Sequence, residues 1–296
     1  MRQMKPLPRR KPTPLPSLNI VPEIEARGDL KRVYEDTKQI LGVPWMGVVT
    51  MAFASYHNFY EVLWQGVRET CGTEQFSQAC IRLQEYVELR AREIPTTDLS
   101  DTLMQQGYSE RELGQIMATI EVFAKGNMPY LLIASLTRAI LEGHELPVSP
   151  TSAAPMTKPT DQLAPLLLVE EHHATPDLQQ VYADIKSTLG LPFVNTDYRA
   201  LARWPSYFTA AWKDLQPHID TPRYEQILTD IHSKALDIIS ELPVREGLNT
   251  QTLINAAARD TNRESVLRVV ELFQYLLPGL ITNVAVFKHQ LANIHR

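Results

Sequence analysis

The sequence predicts an all-α protein made of two homologous helical repeats, and three observations support this prediction. Apolar residues recur at helical spacing over long segments, and no stretch alternates apolar and polar residues as a half-buried strand does. Residues 29–45 (DLKRVYEDTKQILGVPW) return as residues 177–193 (DLQQVYADIKSTLGLPF), with nine of 17 positions identical at a constant offset of 148. A repeat of this kind indicates duplication of a folding unit.

The distribution of proline predicts where these repeats begin and end. Of 21 prolines, six lie in the first 22 residues and five lie between Pro147 and Pro165. Proline lacks a backbone donor and favours extended chain, so both clusters are typical of segments outside a helical core. We predict a solvated proline-rich N-terminal arm over 1–22, a first helical repeat over 23–146, a proline-rich linker over 147–166 and a second helical repeat over 167–296.

The first helix of the first repeat has a recognisable end. Val33, Ile40 and Leu41 recur at helical spacing, and Gly42 followed by Pro44 predicts a stop. The matching segment of the second repeat is predicted to form the same helix.

Later helices of the first repeat have start signals. Phe76–Ile94 is predicted to form a surface helix. Ser109 and Glu112 fit a capping box at the start of the next one. We expect that helix to end at Lys125–Asn127 and another to begin near Pro129, because proline is tolerated at the first helical position.

Composition and charge exclude several functional classes. The formal net charge is −5, with 29 basic and 34 acidic residues, so no nucleic-acid partner is expected. Cys71 and Cys80 match neither a redox CxxC pair nor a zinc knuckle, which predicts a reducing, cytoplasmic environment. No apolar run is expected to reach the roughly 18 residues that span a bilayer, and the N-terminus lacks the apolar stretch of a signal peptide, so no membrane partner is expected.

Polar residues that occur in only one repeat are the candidates for a site, because residues needed for packing recur in both copies. Asp197 stands where the first repeat has Val49, and Asn127 stands opposite the apolar Leu276 and Leu277. A carboxylate from one repeat and a carboxamide from the other predict one asymmetric site that draws on both repeats.

Each candidate also has a purely structural interpretation. Asp197 precedes a helical run and is expected to be a helix N-cap. Asn127 follows Gly126, which favours a C-terminal capping turn. Trp45 and Phe193 occupy matching positions after a proline, as shared core residues would.

Sequence motifs of other chemistries are absent. The acidic and histidine residues of Glu170–His173 are adjacent in sequence, and adjacent side chains point in different directions, so we expect no metal site there. The sequence contains no HxxxH, GxSxG, P-loop or GxGxxG motif. Metal, catalytic-triad and nucleotide chemistry therefore lack their usual signals.

Three segments, YEDTKQILGVPW, KGNMPYLL and TDYRALARWP, together with the duplicated helical plan, resemble the group I or DL-type 2-haloacid dehalogenases. The resemblance covers about residues 24–296. It implies hydrolysis of short 2-haloalkanoic acids by direct attack of water with inversion at the chiral carbon, without an ester intermediate, a metal or an organic cofactor. It also implies a homodimer.

The resemblance implies a role for individual residues. Asp197 matches the aspartate that activates the water, and Asn127 matches the asparagine that helps to hold it. Trp45, Tyr130 and Tyr275 match residues of the substrate and halide pocket. A carboxylate that takes the proton from a positioned water is suited to displacement at a saturated carbon.

Three pocket positions depart from the family pattern. Val48 stands where a family member can carry an aromatic side chain, and Asn195 and Thr196 precede the aspartate where smaller residues can occur. We expect the substrate-binding pocket to differ in size and polarity for this reason.

Two other functions stay open at this point. An AhpD-like helical redox enzyme needs a paired thiol site, whereas Cys71 and Cys80 lie nine residues apart. A non-catalytic helical interaction protein would use the proline arm for recognition and would contain no buried ionisable carboxylate.

Overall fold

The structure, a computed structural model, describes residues 7–149 and 166–292. About 70% of the described residues are helical and almost none lie in strands, which confirms the all-α prediction. The helices are α1 (Gly28–Leu41), α2 (Val48–Ala54), α3 (His57–Cys71), α4 (Glu74–Ala91), α5 (Ser100–Gln105), α6 (Glu110–Leu141), α7 (Pro176–Leu189), α8 (Thr196–Leu201), α9 (Pro205–Leu215), α10 (Pro222–Ile239), α11 (Thr250–Asp260) and α12 (Arg263–His289).

Short elements complete the described part of the chain. Three 3₁₀ turns lie at Glu23–Glu25, Glu171–His173 and Gln216–His218. Strands β1 (Val148–Ser149) and β2 (Val244–Arg245) form a two-residue parallel pair, which the sequence does not predict. The predicted linker lies mostly outside the described residues, because it is described only at 147–149 and at 166.

Helices α1 and α7 end in the same way, as the sequence predicts. Gly42 and Gly190 follow them in the left-handed conformation, with φ of 69° and 59°. Only glycine adopts this conformation without strain, so a glycine at each position terminates the helix. The predicted capping box of α6 is also confirmed, because the side chains of Ser109 and Glu112 each bond to the other residue's backbone N–H.

Element bounds and contacts match at the predicted offset of 148. Helices α1, α3, α4 and the first 3₁₀ turn begin 148 residues before α7, α9, α10 and the second turn. Three hydrogen-bonded pairs recur at the same offset: Tyr34 with the Val21 carbonyl, Lys38 with Glu23 and Trp64 with Asp36, then Tyr182 with the Val169 carbonyl, Lys186 with Glu171 and Trp212 with Asp184.

The predicted helix break before Pro129 is wrong, because α6 continues through it. An interior proline removes one backbone hydrogen bond and crowds the preceding turn. Every residue from Gly126 to Leu141 is buried. Packing of this continuous buried stretch offsets the local cost, since most helical stability in proteins comes from tertiary contacts. Pro278 lies inside α12 in the same way.

Helix α12 also departs from an expectation of the sequence. By length and composition it is apolar enough to cross a membrane, although no such run was expected. Within the protein, 83% of its apolar window is buried. Packing in the core therefore accounts for its apolar character.

The chain divides into two compact units that do not follow the predicted domain boundaries. Unit 1 comprises Met1–Gln84, Gly126–Ala164 and Thr229–Gly279, and unit 2 comprises Glu85–Lys125, Pro165–Leu228 and Leu280–Arg296. Each unit thus takes segments from both predicted repeats. The division falls inside α4, α6, α10 and α12, so sequence similarity and compact packing group these residues differently.

The predicted N-terminal arm has two buried positions among its described residues. In unit 1, Leu7 is 5% exposed and Pro12 is buried. Residues 1–6 lie outside the described residues. The described part of the arm is therefore anchored at Leu7 and Pro12 and is exposed or half-buried elsewhere.

Candidate active site

In unit 1, the turn between α1 and α2 carries Trp45, and Tyr130 of α6 fixes that turn. The Tyr130 hydroxyl donates to the Trp45 carbonyl at 2.7 Å and accepts from the Gly47 N–H at 2.9 Å. Burial raises the pKa of Tyr130 well above its usual value, although the bond from Gly47 opposes this. The phenol therefore stays protonated and able to donate.

The Trp45 ring packs against α6 at a glycine. A Cβ atom added at Gly126 would lie 2.3 Å from a ring carbon of Trp45, closer than any real contact. The rings of Trp45 and Tyr130 meet edge to face, with centroids 5.9 Å apart. Because Gly126 and Tyr130 are four residues apart on one helix, both lie on the helix face that holds the tryptophan.

A carboxylate fixes the same turn from another element. Glu23, in the first 3₁₀ turn, accepts the Met46 N–H at 3.1 Å and pairs with Lys38 of α1. Sequence reasoning missed Glu23, although its position 15 residues before Lys38 recurs as Glu171 before Lys186. That recurrence is the signal that could have found it.

Asn127 lies next to Gly126 inside α6 and is 3% exposed. Its predicted role as a capping residue is wrong, because the helix does not end there. A carboxamide side chain can both donate and accept hydrogen bonds, and this one lies buried in the middle of a helix. Val48, half-buried, is the first residue of α2, and Tyr275, also half-buried, lies in α12.

In unit 2, Asp197 is the second residue of α8 and is 2% exposed. The predicted N-cap role is wrong, because Asn195 occupies that position. Thr196, the first helical residue, is 6% exposed and Asn195 is 4% exposed. A buried aspartate is rare and is a candidate functional group. It also contradicts the non-catalytic interpretation, which predicts no buried ionisable carboxylate.

Tyr198 holds one side of α8. Its hydroxyl accepts from the Asn283 side-chain amide at 2.9 Å, and the Asn283 oxygen accepts from the Tyr224 hydroxyl at 2.7 Å. Burial, with a smaller effect from the Asp197 charge, raises the pKa of Tyr198. Its ring packs against three aromatic neighbours: Phe208, Trp212 and Phe287.

Arg199 holds another side of α8, and sequence reasoning missed it. Its guanidinium bonds both carboxylate oxygens of Glu170 at 2.7 Å, and its carbonyl accepts the Val169 N–H at 3.0 Å. The same guanidinium lies 3.4 Å from the Thr196 hydroxyl. Asp197 is thus followed directly by two residues that are each fastened to other elements of unit 2.

The acidic residues of Glu170–His173 form ion pairs with basic side chains: Glu170 pairs with Arg199, and Glu171 pairs with Lys186. Among residues 7–149 and 166–292, no group of three His, Cys, Asp or Glu side chains is arranged to hold a metal ion.

Comparisons with known proteins agree on one family. The family model described as "Halocarboxylic acid dehydrogenase DehI" matches residues 44–192. An (R)-2-haloacid dehalogenase of Rhizobium sp. (strain NHG3) is 41% identical over 80% of this chain and 93% of that protein. A configuration-inverting 2-haloacid dehalogenase of Alcaligenes xylosoxydans xylosoxydans is 22% identical over 79% of this chain and 80% of that protein.

A solved structure described as a D-2-haloacid dehalogenase in complex with L-LA has a TM-score of 0.86 and 36% identity, covering 96% of this chain and 100% of that one. This similarity extends over almost the whole fold, and the sequence identity exceeds what a shared fold alone requires. The chain therefore belongs to the DehI family of 2-haloacid dehalogenases, as its sequence predicts.

Proposed function

We propose that this protein hydrolyses short 2-haloalkanoic acids to 2-hydroxy acids through a water molecule that Asp197 activates. One observation carries the proposal: Asp197 is buried and held in place in a chain that is 41% identical to a 2-haloacid dehalogenase. Dehalogenation is favoured over the AhpD-like alternative, because the relatives are dehalogenases.

The proposed chemistry is displacement at a saturated carbon. Asp197 takes a proton from the water while the water oxygen forms its bond to the chiral carbon from the face opposite the halide, and the halide leaves with the bonding electrons. The product is inverted and no ester forms with the enzyme. General-base catalysis contributes about 10²–10⁴-fold to such a step. The role of Asn127 in holding the water stays a prediction from sequence.

The proposal includes a preference for the (R) enantiomer. The relative that is 41% identical is named for (R)-2-haloacids, and the solved structure at 36% identity is a D-2-haloacid dehalogenase. The sequence resemblance implies use of both enantiomers instead, so the ratio of rates on the two enantiomers distinguishes these expectations.

We also infer that the helices derive from a duplicated unit. The matching element bounds and the three recurring hydrogen-bonded pairs support this inference. Asp197 then marks a position at which the two copies differ by a functional group. Cytoplasmic location and a homodimer remain predictions from sequence.

Halide release from (R)- and (S)-2-chloropropionate tests the function. We expect Asp197→Asn to lower kcat by about 10²–10⁴-fold, because it removes the proposed base. Asp177→Asn is the matched control, since Asp177 is the second residue of α7 in the same unit and is exposed. Equal rates for wild type and Asp197→Asn would overturn the proposal.

A single turnover in heavy-oxygen water tests the direct attack. The label is expected in the hydroxy acid and not in Asp197. Label in the Asp197 carboxylate would show an ester intermediate and contradict the mechanism.

A further inference from the structure

Residues 7–14 are fastened by side chains from the interior of unit 1. The His232 ring donates from Nε2 to the Leu7 carbonyl at 2.6 Å, and the Arg138 guanidinium donates to the Pro8 carbonyl at 2.9 Å. His232 and Arg138 are each only 4% exposed. Buried donors that lose their acceptors are costly, so these two bonds fix the start of the segment.

The acceptors of these two hydrogen bonds are backbone carbonyls. The bonds therefore hold the backbone of the segment whatever side chains it has. The far end is held in the same way, because Arg268 of α12 donates to the Pro14 carbonyl. A segment fixed at both ends presents the side chains between them at defined positions.

Arg9 is one of those side chains, and it holds both the ring and the backbone of Tyr275. Its guanidinium carbon lies 4.3 Å from the centre of the Tyr275 ring, and its Nε–H donates to the Tyr275 carbonyl at 3.0 Å. The Lys11 ammonium lies 6.0 Å from the same ring centre. Cations at these positions are attracted to the face of the ring and restrict its orientation.

The charge of the segment also suits the substrate class. Arg9, Arg10 and Lys11 are consecutive cations, and a 2-haloalkanoate is an anion. Positive charge next to a pocket residue raises the local concentration of an anionic ligand.

We propose that residues 7–14 cover Tyr275 and that Arg9 is a positioning residue for its ring, so that this segment determines which 2-haloacids the enzyme accepts. The specificity part rests on the proposed function and on the prediction from sequence that Tyr275 lines the substrate pocket. The proposal that residues 7–14 cover Tyr275 depends only on the contacts of Arg9 and Lys11 with Tyr275.

The first experiment measures how accessible the Tyr275 ring is, and it does not depend on enzyme activity. The full-length protein and its Arg9→Ala variant are treated with tetranitromethane, and nitration of each tyrosine is followed by peptide mass spectrometry, with Tyr108 of unit 2 as internal reference. We expect Tyr275 to react about fivefold faster in Arg9→Ala, as loss of a cation–π contact implies. Arg10→Ala is the matched control, because it removes the same charge from an exposed neighbouring position.

The second experiment measures specificity. The ratio of kcat/KM for 2-chlorohexanoate to that for 2-chloropropionate is determined for wild type, Arg9→Ala, Arg9→Lys and Arg10→Ala. We expect the ratio to change about fivefold in Arg9→Ala, to return toward wild type in Arg9→Lys, which restores a cation over the ring, and to stay unchanged in Arg10→Ala.

The outcomes separate the two proposals. Equal nitration of Tyr275 in wild type and Arg9→Ala overturns the cover. Faster nitration with an unchanged substrate ratio overturns the specificity role. Absence of halide release from every substrate in the wild type overturns the proposed function, and the nitration rates then still decide whether Arg9 covers Tyr275.

Discussion

In residues 21–64 the short helix α2 begins with Val48 and Val49, whereas in residues 169–212 its counterpart α8 begins with Thr196 and Asp197. The residues that precede the two helices have almost the same backbone, with φ and ψ of −61° and 141° at Gly47 and −62° and 156° at Asn195. One backbone geometry thus presents an apolar side chain in one stretch and a buried carboxylate in the other.

The two stretches also differ in what fastens them. In the first, Tyr130 and Glu23 bind the backbone of the turn that carries Trp45. In the second, an ion pair between Arg199 and Glu170 holds the helix of Asp197. The difference teaches that the two equivalent stretches are stabilised by different means. Hydrogen bonds to the backbone fix the turn that places the Trp45 ring, whereas an ion pair fixes the helix that orients the Asp197 carboxylate.

The close packing of the Trp45 ring against Gly126 predicts the largest effect on stability. Gly126→Ala places a Cβ against the Trp45 ring, and we expect a loss of about 1–3 kcal/mol in the free energy of unfolding, as for other overpacked sites. Urea unfolding measures it. Gly114→Ala is the control on the same helix, where a Cβ would meet nothing within 4 Å, and it should stabilise by about 0.5–1 kcal/mol. Equal effects of the two substitutions would contradict the packing argument.

The ion pair in the second stretch predicts an effect on turnover. Arg199→Met introduces the residue that the first stretch carries at Met51, and we expect kcat to fall about tenfold with a smaller change in KM, because a charge-assisted hydrogen bond contributes about 1.5 kcal/mol. Arg199→Lys should restore part of kcat.

Arg68→Met is the control for this prediction, because it breaks the bidentate pair with Asp36 in the first stretch. It should lower stability and leave kcat unchanged. A loss of kcat in both variants, in proportion to stability, would show that Arg199 has only a general structural role.

His232, which fastens the segment of residues 7–14, predicts a smaller, pH-dependent effect. Burial lowers the pKa of His232, the bond to Leu7 opposes this, and the charges of Arg138 and Arg9 lower the pKa further. His232 therefore binds a proton at higher pH in the unfolded chain than in the folded protein. Stability is therefore complete above about pH 6.5 and falls as the pH decreases below it, by at most about 1.4 kcal/mol per pH unit.

Unfolding by urea between pH 5 and 8 measures this dependence. His232→Gln keeps a side-chain donor for the Leu7 carbonyl and should flatten the curve below pH 6.5. The control is His57→Gln at an exposed position, which should leave the curve unchanged. An unchanged slope in His232→Gln would assign the acid sensitivity to other groups.

Local signals in the sequence were sufficient for much of the fold. Gly42 and Gly190 set helix ends through their own conformations, and Ser109 with Glu112 capped α6 through neighbouring backbone groups. The break before Pro129 was wrong because the helix is held there by distant packing, which local rules do not contain. The identity of the family was available because several motifs kept their order and spacing.

The candidate site was predictable in part for the same reason. Comparison of the two repeats made Asp197 and Asn127 candidates, and both are buried, although the structural interpretation expected both to be caps. Tyr130 was predicted as a pocket residue, and sequence alone could not show that its hydroxyl serves the backbone of a turn 85 residues earlier. Arg9 was missed because proline-rich composition indicates extended chain and carries no information about what that chain touches.

The two bonds of the Tyr130 hydroxyl have a consequence for altering the substrate range. A change at Tyr130 would release the Trp45 carbonyl and the Gly47 N–H together, so a substitution meant to enlarge the predicted pocket there would also loosen the turn that carries Trp45. Val48 is half-buried and begins a helix whose preceding turn is already secured by other residues. For the predicted pocket, we therefore expect substitutions at Val48 to alter the accepted haloacids with less loss of stability than substitutions at Tyr130.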